Sequence, residues 1–480
     1  MPMAVLDSAF LLAESREHPT HVALLQLYRS PPDAGPEFVS DFHRDLLAST
    51  EVEPLMRRRP VRTPATLGQW AWEVDDEIDL DYHIRLSALP RPGRVRELLA
   101  LVSRLHGTLL DRHRPLWELH VVEGLSDNRF AVYTKVHHAL MDGVTAVHRL
   151  TAGLSKQPDG VAVPPWAPLP GASGGNGTGP GGDGSGSDDS DGSGPITGPL
   201  SGALNRLRDA VSMVGELAGA PPALAKALVA TLRDEAATLP FDAPRTMFNV
   251  RIGGARRFAA QSWPLERVRA VGKAADATIN DVAVAMCSGA LRRYLLDAGE
   301  LPDRPLIAML PVSLRGTAGS SSGSGSSEGN AVGGILCDLA TDQTDPAVRL
   351  ARIRASTRHA KSILSGLSPT QIQLLISLIA PGAMLAPVPG LSQLMPPPFN
   401  VIISNVPGSR ERLYWNGAEL LESYPVSVPA DGQALNMTLT SYAGQLSFGI
   451  TGGRTAVPHL QRLLDHLDAE LTALEQATRG

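Results

Sequence analysis

A chain of 480 residues is long enough for two or more domains, and with 43% hydrophobic residues it can bury a sizeable core. Its formal net charge is −6, and Asp183, Asp188, Asp189 and Asp191 all sit in one glycine-rich stretch, so the remainder is nearly neutral and lacks the basic excess of a nucleic-acid binder. With Cys287 and Cys337 as its only cysteines, the chain excludes a disulfide framework and reads as a protein of a reducing compartment.

In chain order, the N-terminus carries Asp7, Glu14, Arg16 and Glu17 around a short apolar patch, which is not the pattern of a signal peptide. Residues 129–136 alternate, with Phe130, Val132, Thr134 and Val136 on one face, which predicts a strand. After Gly143, the residues Val144, Val147, Leu150 and Leu154 recur at helical spacing. The run His137-His138-Ala139-Leu140-Met141-Asp142-Gly143 therefore occupies a strand-to-helix turn, where a rigid strand positions a group and a loop leaves access to it. Residues 171–194 are almost all Gly, Ser, Asp, Asn, Thr, Ala and Pro and predict a flexible linker, drawn at 161–200 between an N-terminal half (1–160) and a C-terminal half (201–480).

The second half opens with predicted helices at 203–217 and 223–239. Asn280 or Asp281 is placed to cap a helix running through 282–296. Strands are predicted at 306–311, 400–405, 434–441 and 445–451, and 316–329 reads as a mobile loop. Asp345-Pro346 opens a helix carrying Arg349, Arg352, Arg354, Arg358 and Lys361, read by default as a solvated face and otherwise as a phosphate site. The apolar stretch 374–394 is broken by Pro381, Pro387 and Pro389; it predicts a core helix followed by a loop rather than a membrane span, with a lipid-touching surface as the other reading.

A histidine at a strand end can take a proton near neutral pH if its direction and tautomer are held. His138 is the candidate general base. His137 alternates with it, faces the other way and is assigned a supporting role. Asp142 is too close in sequence to relay directly to His138, so it is expected to hold the turn by pairing with an arginine, Arg315 or one of Arg57-Arg58-Arg59. Gly143 is expected to let the following helix start close to the strand. A zinc site is not expected, because adjacent histidines point to opposite faces and no Cys or Glu completes a ligand set. The G-x-S-x-G matches at 171–175 and 319–323 lie in Gly/Ser tracts without the strand and helix of a nucleophile elbow. His137 and Asp142 also fit an H-x4-D spacing, whose family would want a basic phosphate pocket nearby.

The histidine run matches the HHxxxDG signature of the superfamily of chloramphenicol acetyltransferase, carnitine acyltransferase and peptide-synthetase condensation domains. More narrowly, the chain resembles the bacterial wax ester synthase/diacylglycerol acyltransferase family. The further segments that carry this are Leu6-Asp7-Ser8-Ala9-Phe10-Leu11 leading into Glu14 and Pro19-Thr20-His21-Val22, then Pro115-Leu116-Trp117, Asn280-Asp281-Val282, and Asn400 to Gly408 with Ser404-Asn405-Val406-Pro407-Gly408.

The resemblance implies an α/β fold of two chloramphenicol-acetyltransferase-like domains, each a mixed sheet flanked by helices, with an active-site tunnel between them. It implies an acyl-CoA-dependent O-acyltransferase in which His138 takes the proton of a diacylglycerol or long-chain alcohol hydroxyl. Acyl-CoA is then a substrate, and no cofactor, metal or nucleic acid is implied. Asn280 and Asp281 become candidates for substrate contact, Asn280 also as an oxyanion donor, with a helix cap and structural turn as the alternative. The expected location is cytoplasmic, with peripheral contact at the inner membrane face or lipid droplets left open. The competing expectations are a condensation-type enzyme fed by a carrier-protein thioester and a non-catalytic lipid-binding relative.

Overall fold

The structure, a computed structural model, describes residues 1–66, 68–169, 242–313, 332–365 and 396–479. The expected linker, the helices at 203–217 and 223–239, Arg315, the loop 316–329 and the stretch 374–394 lie outside the described residues. The described residues belong to one compact unit.

The first sheet is built around β1 (His21–Arg29), whose neighbours are β6 (Arg129–His137) on one side and β12 (Ala418–Val426) on the other. Beyond β6 come β5 (Trp117–Leu125) and β4 (Ile84–Ala88), and beyond β12 comes the short β11 (Tyr414–Trp415). All of these pairings are antiparallel except β4 with β5. A late segment of the chain thus completes the sheet that carries the histidines.

β6 is buried on both faces, more than its alternation suggested. Phe130, Val132 and Val136 join one core cluster with α1 (Val5–Ala13) and α2 (Phe38–Ala48), while Ala131 and Tyr133 join another with α4 (Val95–His106). Each fully buried large apolar side chain contributes about 1.5–3 kcal/mol, which makes this strand a stiff support. A two-stranded sheet of β2 (Arg58–Val61) and β3 (Ala71–Val74) lies apart, and α3 (Leu80–His83) leads into β4.

The second sheet runs β7 (Arg256–Pro264), β14 (Gln445–Gly453), β13 (Leu435–Tyr442), β10 (Val401–Val406), β8 (Ile307–Ser313) and β9 (Val332–Asp338), with parallel pairings on both sides of β10. Its core is shared with helices α6 (Leu265–Ala274), α7 (Ile279–Ala298), α8 (Pro346–Ser365) and α9 (Arg462–Ala477). α7 is buried all round from Val282 to Leu291, with Ser288 donating to the Leu339 carbonyl, as befits a central helix.

Two sequence readings are corrected here. The N-cap of α7 is Thr278, whose hydroxyl accepts from the Asp281 N–H; Asp281 answers from the third helical position by accepting from Thr278, and neither Asn280 nor Asp281 is the cap. The basic face of α8 is neither simply solvated nor open to phosphate. Arg349 is buried against Glu470, Arg352 pairs with Asp338 and Asp342, and Arg354 pairs with Asp276. Arg358 and Lys361 are exposed.

Candidate active site

The last residue of β6 is His137, and the backbones of both histidines are tied to the neighbouring strands. The His137 N–H donates to the Leu116 carbonyl at 3.0 Å and the His138 N–H donates to the Thr20 carbonyl at 2.9 Å. The chain then turns, with the Leu140 N–H donating to the His137 carbonyl at 2.9 Å. Helix α5 (Gly143–Ala152) follows, and Asp142 is its N-cap, its side chain accepting from the Thr145 N–H at 2.7 Å. The helix packs Val147 and Leu150 against Leu24 of β1 and Val406 of β10, so the turn sits where elements of both sheets approach each other.

The capping role replaces the expected pairing of Asp142 with Arg57, Arg58 or Arg59. Arg57 is taken up by the Asp75 and Asp76 carbonyls and Arg59 by Glu73, and no ion pair of Asp142 occurs among the described residues. The other candidate, Arg315, is outside them. The reading of Gly143 also changes. A Cβ there would meet nothing within 4 Å, so the glycine leaves space open at the start of α5 rather than permitting a tight approach.

From Phe130 to Asp142 every residue is buried except His138, which keeps partial exposure. Its ring stacks on Phe10 of α1, with centroids 4.1 Å apart and planes inclined by 20°. Nδ1 is buried and makes no well-formed hydrogen bond among the described residues. Burial lowers the ring's pKa to about 4, against the opposing pull of its own backbone carbonyl and of the Asp142 carboxylate. The ring is thus neutral at ordinary pH and able to accept a proton, on the one residue of this run that keeps partial exposure.

His137 is fully buried and points away from that opening. The Ala139 N–H donates to its Nδ1 at 3.0 Å, which leaves the proton on Nε2. Nε2 lies 3.0 Å from the Thr20 hydroxyl and 3.3 Å from Glu14 Oε1. Glu14 Oε2 in turn accepts from Nε and Nη2 of Arg112, at 3.0 and 2.9 Å. Phe10, Glu14, Thr20 and Arg112 were not singled out as site residues from sequence. The available signal was an acid standing directly after an apolar helix; in the structure its side chain is buried and needs partners.

The structure also brings together two segments distant in sequence. Asn405 Nδ2 donates to Asn280 Oδ1 at 3.3 Å, joining the Asn280-Asp281 pair to the strand-and-turn segment 400–408. Asp281 is buried and accepts the Thr357 hydroxyl of α8 at 2.8 Å, which places it in the helix packing of the second core. Among the described residues, no group of three or more His, Cys, Asp or Glu side chains is arranged to hold a metal ion. Cys287 and Cys337 are both buried, and burial raises both thiols, so neither is an activated nucleophile.

A sequence model of the wax ester synthase/diacylglycerol acyltransferase catalytic domain matches residues 3–283, and one of the WS/DGAT C-terminal domain matches residues 328–475. A Mycobacterium tuberculosis protein named probable diacyglycerol O-acyltransferase tgs2 is 50% identical over 471 residues, covering 98% of each chain. The solved wax ester synthase/diacylglycerol acyltransferase from Marinobacter aquaeolei VT8 is 39% identical, covers both chains fully and superposes with a TM-score of 0.77. The first condensation domain of the calcium-dependent antibiotic synthetase shares the fold alone, with a TM-score of 0.55 at 13% identity over 99% of this chain and 96% of that one. On these matches, which span nearly its whole length, the chain belongs to the wax ester synthase/diacylglycerol acyltransferase family.

Proposed function

We propose that this chain transfers a long-chain fatty acyl group from acyl-CoA to the free hydroxyl of diacylglycerol, giving triacylglycerol, and to long-chain alcohols, giving wax esters. The observation that carries the chemistry is a neutral, partly exposed His138 at the end of a rigid strand. The names of its relatives support the acceptor.

In this reading Nδ1 is buried, so Nε2 of His138 meets the acceptor hydroxyl and takes its proton as the oxygen attacks the thioester carbonyl. The tetrahedral intermediate collapses to the ester as the C–S bond breaks, and the departing CoA thiolate takes from His138 the proton that came from the acceptor hydroxyl. General-base help of this kind contributes roughly 10²–10⁴ in rate. Holding donor and acceptor together in a tunnel between the halves adds proximity and orientation. His137 supports the base, and Asp142 and Gly143 shape the turn that carries it.

Both acceptors are insoluble in water, so contact with a membrane or lipid-droplet surface belongs to the proposal; among the described residues, no helix is long and apolar enough to cross a membrane. Incubation with palmitoyl-CoA and either diolein or a long-chain alcohol should release free thiol in step with ester formation. A folded sample that releases no thiol with any acceptor would overturn the reading.

A further inference from the structure

We infer that Glu14 is a positioning residue of this site: anchored by Arg112, it sets the tautomer of His137 and, through the next peptide, the direction of the His138 ring. This rests on the reading of His138 as the base.

Four donors converge on the Glu14 carboxylate. Oε1 faces the Thr20 N–H at 3.3 Å and shares the His137 Nε2–H, at 3.3 Å, with the Thr20 hydroxyl. Oε2 takes the two-pronged grip of Arg112. Arg112 also donates to the Leu11 carbonyl at 2.8 Å, which ties the end of α1 to the segment ahead of β5.

The Thr20 hydroxyl lies 3.2 Å from the Phe10 carbonyl, to which it donates, leaving its lone pairs for His137 Nε2–H. With Nε2 protonated, Nδ1 of His137 is free to accept the Ala139 N–H. That N–H belongs to the same peptide unit as the His138 carbonyl, the group that lies against the His138 ring. A chain of contacts therefore runs from Arg112 through Glu14 and His137 to the peptide on which the base rests.

Burial would raise the Glu14 carboxyl, but the hydrogen bonds from His137 and Arg112 and the charge of Arg112 outweigh it and hold the pKa below the usual value. The same segment supplies the Phe10 ring that stacks on His138 and the Thr20 carbonyl that holds its N–H. One stretch, Phe10 to Thr20, thus contacts both histidines while standing more than a hundred residues from them.

The test uses the full chain with Glu14→Gln, which keeps the shape but turns an acceptor into a donor facing other donors. With palmitoyl-CoA and diolein, kcat should fall by about 10²-fold, the cost of a small misplacement of a catalytic group, with KM little changed. In ¹⁵N-histidine-labelled protein, wild-type His137, assigned by its loss in His137→Gln, should show the Nε2–H tautomer; in Glu14→Gln it should exchange between tautomers. A purely structural role would lower the unfolding temperature without moving either readout. If Glu14→Gln does not fold, Arg112→Lys keeps the charge but loses the fork, and should lower kcat less, again at unchanged KM. Wild-type kcat in Glu14→Gln, or in a folded Arg112→Lys where that variant stands in, or a wild-type His137 proton on Nδ1, would overturn the inference. If the wild type itself releases no thiol, the proposed function fails, and the tautomer measurement still decides on the Glu14–His137 lock.

Discussion

Burial dominates the electrostatics of His138, and its consequence is visible in the pH dependence. The acid limb of kcat/KM reports the base in the free enzyme. Because burial lowers the ring to about 4, it is neutral and competent above that pH, and the rate should be lost as the pH falls through about 4. A limb near 6.5, the ordinary histidine value, would mean that the ring is solvated. His138→Ala should lower turnover by roughly 10²–10⁴-fold while the unfolding transition stays in place. Asp142→Ala acts differently. It removes the cap of α5 and should cost about 1 kcal/mol in denaturant unfolding. It also removes the carboxylate that raises the His138 pKa, so the acid limb should move further down, and an upward move would contradict this account.

At the scale of elements, the two ends of α5 and α7 explain why short motifs recur in this chain. Each helix opens with a polar side chain that satisfies free backbone N–H groups, Asp142 for α5 and Thr278 with Asp281 for α7. Asp281 does more, because the Thr357 hydroxyl of α8 depends on it. Asp281→Ala should therefore cost about 1–3 kcal/mol, more than a cap alone, since besides the bonds to Thr278 it removes the nearer acceptor of a buried hydroxyl, which keeps only the Arg354 carbonyl at 3.2 Å. A loss no larger than that of Thr278→Ala, measured in the same denaturant series, would show that the contact to α8 contributes nothing. The basic helix α8 makes the same point. From sequence its arginines could face water or phosphate, but the acidic partners come from the β9 end (Asp338, Asp342), α9 (Glu470) and the turn after α6 (Asp276), and the sequence does not place the last two nearby.

For the whole molecule, the contact between the sheets includes one close backbone approach. Gly449 of β14 faces Pro425 of β12, and a Cβ added at Gly449 would collide with the Pro425 carbonyl. Tyr424 reaches across to Ser262 of β7 with a hydrogen bond at 3.2 Å. Gly449→Ala should force these strands apart and cost about 1–3 kcal/mol, the usual range for overpacking. Because β12 is bonded to β1 and β1 to β6, the strain should reach the histidine turn, so kcat should fall as well as stability. A variant with unchanged unfolding would show that the sheets can separate there freely.

The sequence by itself determined the local frame of the site. Alternation and helical spacing placed β6, the turn and α5, because those patterns depend only on neighbours along the chain. The accompanying segments identified the family, since each kept its residues in order. What only the tertiary structure decided is how the segments meet. Glu14 and Arg112 are 98 residues apart, and Thr20 and His137 are 117 apart, and no periodicity reports a contact at such range. The cap that Asp142 forms went unread for a related reason. An acid at a strand-to-helix turn can pair with a cation or cap the helix, and the choice depends on which groups the folded chain brings within about 3 Å. The late strand β12 completing the first sheet is likewise a matter of topology: it satisfies the backbone groups on the edge of β1 that β6 leaves open, and no signal along the chain reports that pairing.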